Sequence, residues 1–140
     1  MRLEEQELEV KDKEMAISVK VKGDFKNTER FFENVRKKSY FSKLERYAQE
    51  GVDALKNATP VDTGLTANSW SYEIIKTDGY VKITWNNSNR VDGVPIAIIL
   101  EYGHVTRNGG YVAGRNYIGP AIRPIFDKIA DNVWKEVKSS

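Results

Sequence analysis

From Met15 to Phe25 the chain reads MAISVKVKGDF, in which Ile17, Val19 and Val21 alternate with Ser18, Lys20 and Lys22. A period of two predicts a half-buried strand, closed here by Gly23-Asp24. Asn27 or Thr28 is placed to cap a short helix with Phe31, Phe32 and Val35 as its apolar positions. Ser42 and Glu45 then have capping-box spacing, and Leu44, Tyr47, Ala48, Val52 and Leu55 recur at steps of three and four. That periodicity predicts a long central helix, which Pro60 stops. Gly51 sits inside it at a cost of ~1 kcal/mol relative to Ala, so another backbone is expected to pack closely there.

Asn68 to Thr77 alternates Trp70, Tyr72 and Ile74, and Asp78-Gly79 offers a two-residue turn into Val81, Ile83 and Trp85. This is the clearest hairpin pattern in the chain. The polar loop NNSNRVDG leads to Val94-Pro95 and IAIILEY, a short apolar run compatible with helix or strand. Pro at a first helical position favours helix. Pro120 is placed to open a C-terminal helix whose apolar face is Ile122, Ile125, Phe126, Ile129, Val133 and Val137. The predicted class is α+β: a small antiparallel sheet, made of the N-terminal strand and the hairpin, packed by a long central helix and a C-terminal helix. Residues 15–140 are expected to form one domain.

Residues 1–14, MRLEEQELEVKDKE, break the pattern. They hold six acids and three bases with little apolar content, ahead of a second methionine at Met15. They are expected to be a charged extension, helical or disordered, or a stretch preceding a start at Met15. Nothing in them resembles a secretory signal, and no apolar run in the chain approaches the ~18 residues a membrane span needs. The expectation is a soluble protein with no membrane partner.

Composition narrows the chemistry. The 140 residues contain no cysteine and one histidine, so disulfides, thiolate zinc sites and cysteine nucleophiles are excluded, and no metal or cofactor is expected. A formal charge of +2 does not by itself point to nucleic acid. The distribution says more: Tyr102 to Phe126 contains no acid and includes Arg107, Arg115 and Arg123.

Within that strip lies a Gly-rich arm, residues 103–119. Glu101 to Ala121, EYGHVTRNGGYVAGRNYIGPA, holds five of the ten glycines, the lone histidine, three tyrosines and two arginines. It lacks the glycine spacing of a phosphate loop. His104 has no serine or cysteine partner that would make it part of a triad, and reads as a polar residue at the base of the arm. Arg107 and Arg115 are suited to face phosphates, most effectively if repeated around a symmetric channel, or to bind carboxylates of a neighbouring subunit. Both readings stay open on these residues alone.

Asp62-Thr63-Gly64 is the triplet of aspartic proteases, and Gly114-Arg115-Asn116 echoes their retroviral members. A single copy would require a homodimer, so that two carboxylates share one proton. The triplet here follows a helix ending in Ala58-Thr59-Pro60, not a hydrophobic strand. Pro60, Asp62, Thr63 and Gly64 are therefore expected to form a structural turn, with positive φ at Gly64.

Taken together, VKVKG (Val19 to Gly23), ATPVDTGLTANSW (Ala58 to Trp70), IILEYGH (Ile98 to His104) and RNYIGPAIRPIFD (Arg115 to Asp127) resemble the head-tail joining, or tail-completion, proteins of long-tailed bacteriophages and prophages. The Pro-Val-Asp-Thr-Gly-Leu segment is the most specific element, and the resemblance covers Met15 to Val137. It implies a structural virion protein without enzymatic activity, assembled in the host bacterial cytoplasm. Its place would be the virion neck, as a homo-oligomeric, sixfold ring joining tail to head around the DNA channel. Head-closure and tail-tube or tail-terminator proteins would be its neighbours, with non-specific phage DNA in the channel. The arm would be the assembly element, through Tyr102, His104, Arg107, Tyr111, Arg115 and Tyr117, its glycines giving it reach. The alternatives are a tail terminator capping the tail tube and, further off, a homodimeric aspartic protease using Asp62.

Overall fold

The computed structural model describes residues 2–11, 14–22, 38–60, 64–76, 80–105 and 108–139. Four strands form an antiparallel sheet in the order β1-β2-β4-β3, with β1 Arg2–Lys11, β2 Glu14–Lys22, β3 Trp70–Lys76 and β4 Tyr80–Asn87. Alternation dictates its two faces. Val81, Ile83 and Trp85 of β4 are buried, while Lys82, Thr84 and Asn86 between them are half-buried on the opposite side. The register sets Ile17 and Tyr72 on either side of Trp85, and Ile74 beside Ile83, so one continuous apolar face results.

Two helices cover that face. Helix α1, Lys38–Ala58, packs on β3, β4 and the C-terminal helix α3, Ile118–Ser139. Leu44, Ala48 and Leu55 from α1 join Ile118, Ile122, Ile125, Phe126 and Ile129 from α3 and the inward residues of the sheet in a single core. The rings of Trp85 and Phe126 meet at 5.7 Å between centroids. Burial of each such large side chain contributes roughly 1.5–3 kcal/mol relative to leaving it in water. The α+β architecture expected from periodicity is therefore the one observed.

Several details differ from the sequence reading. Residues 2–11 form β1, an edge strand against β2, and not a helical appendage. An edge strand is held by backbone pairing and tolerates a charge-rich sequence, so it leaves little hydrophobic signal. Helix α1 begins at Lys38, which places Ser42 and Glu45 inside it and not at its cap. What lies against Gly51 is an indole, that of Trp85, and not a backbone. Helix α3 opens at Ile118, two residues before Pro120. The run IAIILEY does form the favoured short helix, α2, Ile96–Tyr102; only its start differs, since Pro95 is the N-cap residue and not the first helical one.

The polar loop before α2 is also more ordered than expected. Arg90–Val91 (β5) and Val94–Pro95 (β6) pair around Asp92 and Gly93, whose φ of 52° and 77° fit the two-residue hairpin turn that Asp-Gly favours. The expected short helix over Phe31 to Val35 and the Asp78-Gly79 turn lie outside the described residues, as do Asp62 and Thr63. Helix α1 does end before Pro60, and Gly64 does take a positive φ, +84°. The segment around it is tied to the sheet: Asn87 Nδ2 donates to the Thr66 carbonyl and Asn89 Nδ2 to Thr66 Oγ1, both at 2.8 Å.

Candidate functional site

The chain leaves α2 at Gly103, runs out along β7 (Gly103–Val105), returns along β8 (Tyr111–Ala113) and enters α3. Antiparallel pairing sets Gly103 opposite Ala113, His104 opposite Val112 and Val105 opposite Tyr111. The arm is thus a β-hairpin. Val105 and Tyr111 share one of its faces and Val112 lies on the other, and all three are exposed, as is Tyr102 at the root, at 47–72% of their surface. Every residue from Asn108 to Ala113 is exposed, so the hairpin stands off the core.

Its root, by contrast, is tightly built. A Cβ on Gly103 would fall 2.4 Å from the Val112 carbonyl oxygen, and one on Gly114 would fall 2.3 Å from that of Glu101. These two glycines allow close approach of backbone to backbone. Of the five glycines read as giving the arm reach, at least these two fix its base. The Tyr111 hydroxyl donates to the Tyr102 carbonyl at 2.8 Å, and the Arg115 N–H donates to the Leu100 carbonyl at the same distance.

Glu101 explains where the arm ends. Its buried carboxylate accepts the N–H of Tyr117 at 2.8 Å and of Ile118 at 3.3 Å, capping the start of α3 from the end of α2. A negative charge at a helix N-terminus is favourable by about 0.3–1 kcal/mol, and up to ~2 where partly buried. This is why α3 begins before Pro120.

Of the residues assigned to the arm's contact set, Tyr102, Tyr111 and Arg115 come together at the hairpin and are exposed. His104 lies on β7. Arg107 lies outside the described residues. Tyr117 is different: it is 7% exposed and belongs to the core, with its hydroxyl donating to the Ala97 carbonyl at 2.9 Å. Burial pushes that hydroxyl's pKa up, and the Glu101 carboxylate adds to the shift. The aromatic-in-a-Gly-rich-segment signal therefore misplaced it as a surface anchor. Sequence reasoning missed Val105 and Val112 as exposed apolar residues and Glu101 as the cap. The signal for Glu101 was a single acid closing an apolar run, followed by an acid-free stretch.

Among the described residues, no three His, Cys, Asp or Glu side chains converge, and no helix is long and apolar enough to cross a membrane. Comparison with protein-family models, curated proteins and solved structures found no match.

Proposed function

We propose that the chain is a structural protein of virion assembly, a subunit of a homo-oligomeric ring in the neck of a long-tailed phage or prophage. The observation that carries this reading is the hairpin. It presents Tyr102, Val105, Tyr111 and Val112 to solvent from a root held by two close-packed glycines. Clustered exposed apolar side chains favour association, and a rigid root aims them at a defined surface. The sequence resemblance supplies the kind of surface: another subunit of the ring, the head-closure ring or the tail tube. It also supplies the sixfold count and the DNA channel. Arg115, exposed at the hairpin root, is suited to a phosphate in that channel or to a neighbouring subunit's carboxylate.

Deleting the chain from the phage or prophage that encodes it tests the proposal. Filled heads and finished tails left unjoined in negative-stain images are expected. Tails of uncontrolled length would make it a tail terminator instead, and normal joined particles would overturn a neck role altogether.

A further inference from the structure

A second apolar surface borders α2. A cleft of about 270 Å³ opens between the segment after α1, the β5–β6 hairpin and α2, lined among others by Leu65, Val91, Ile96 and Leu100. Leu65 and Val91 are more than half exposed, and Val94, paired with Val91 across the hairpin, is 44% exposed.

We infer that the β7–β8 hairpin of one copy docks, head to tail, in this cleft of a second copy. The inference rests on the assembly reading above and names the contact that assembly would use. Shape is the first argument: one surface projects and the other is concave, and the hairpin's exposure means that it is not seated in its own cleft. Two different surfaces on one chain make a heterologous contact, which repeats into a ring where the rotation closes. A self-complementary patch would instead stop at a two-fold dimer.

Area and charge agree. Seven large apolar side chains across the two surfaces are each 44–72% exposed, together roughly half of the ~1,600 Å² that both partners of a standard stable interface bury, with polar neighbours around them left to form the rim. The hairpin segment carries no acid and has Arg115 exposed at its root, whereas the turn beside the cleft carries an exposed Asp92. The same β5–β6 hairpin carries an exposed Arg90, so the opposite-sign contact on offer between copies is the single pair Arg115 to Asp92. A two-stranded hairpin is also marginally stable by itself, and a neighbour's apolar cleft supplies the cover that its own chain does not.

The absence of cysteine makes the test clean. Chains carrying only Val91→Cys and chains carrying only Val112→Cys are prepared separately; both positions are exposed, so the fold should tolerate them. Under a mild oxidant each alone should stay uncrosslinked, while an equal mixture should form a disulfide-linked dimer. Because disulfides need Cα atoms within about 7 Å, Leu65→Cys with Tyr111→Cys is run as a second pair. Val112→Cys crosslinking to itself as efficiently as in the mixture would overturn the inference in favour of a hairpin-to-hairpin dimer. So would failure of both mixed pairs. If the unmodified chain still forms rings in that case, only the contact is wrong; if it forms none, the assembly reading falls with it.

Discussion

The indole of Trp85 occupies the space that any side chain at position 51 would need. A Cβ on Gly51 would fall 2.5 Å from Trp85 Nε1, and that same Nε1 donates to the Ala48 carbonyl at 2.8 Å. Helix α1 and strand β4 are joined at this point by the absence of a side chain.

Gly51→Ala should therefore destabilise the protein, although alanine is the better helix former by about 1 kcal/mol. The added methyl must displace a fully buried ring, at roughly 1–3 kcal/mol, and break its hydrogen bond. A net loss of about 2 kcal/mol is expected, read as a lower urea midpoint at unchanged slope. A neutral or stabilising alanine would show that the ring has room to move.

Glu101 should matter as an acceptor first and as a charge second. Glu101→Ala leaves the N–H groups of Tyr117 and Ile118 without their buried partner, which costs about 1–3 kcal/mol. Glu101→Gln keeps an acceptor and loses the charge at the helix N-terminus, which costs less, about 0.3–1 kcal/mol. Chemical denaturation of the two variants should rank them in that order. Equal losses would mean that charge alone is what the site uses.

Tyr117 ties stability to alkaline pH. In the folded protein its hydroxyl, raised by burial and then by Glu101, keeps its proton where the unfolded chain, with an ordinary value near 10, releases it. The unfolded state then binds fewer protons than the native one. This contribution is intact below pH 10 and is lost as pH rises above it. Tyr117→Phe should cost about 1 kcal/mol at neutral pH through the lost bond to Ala97, and should show a shallower decline between pH 9 and 11. An unchanged alkaline slope would mean that other groups set it.

The hairpin and the core should separate cleanly in mutagenesis. Replacing Val105 and Val112 together by serine removes exposed apolar surface, so the melting behaviour of the monomer should change by no more than about 0.5 kcal/mol. Self-association, followed by sedimentation, should fall at least tenfold. A large loss of stability would place these valines in the core of the fold and not on an assembly surface.

What was legible in the sequence follows the strength of each physical signal. Trp70, Tyr72, Ile74, Val81, Ile83 and Trp85 alternate because one face of β3 and β4 is buried, and the three- and four-residue steps from Leu44 to Leu55 and from Ile122 to Ile129 record the helix faces that cover it. Strand β1 was invisible because backbone pairing at an edge imposes no hydrophobic period. The register that sets Glu4 opposite Lys20 appears only once the pairing is known. At the candidate site, the exposed tyrosines Tyr102 and Tyr111 were legible from their glycine-rich surroundings. The same reasoning failed for Tyr117, because its burial depends on Glu101 and Ala97, sixteen and twenty residues away.

The central claim, that this chain assembles into a ring through its hairpin, is tested most directly by the mass of the purified protein over a wide concentration range, with negative-stain images of what forms. Closed rings with an open centre, sixfold by the resemblance, are the predicted result, and the serine variant of Val105 and Val112 should fail to form them. A tight two-fold dimer at every concentration would contradict the claim and would make the Asp62-Thr63-Gly64 triplet worth assaying for peptide cleavage.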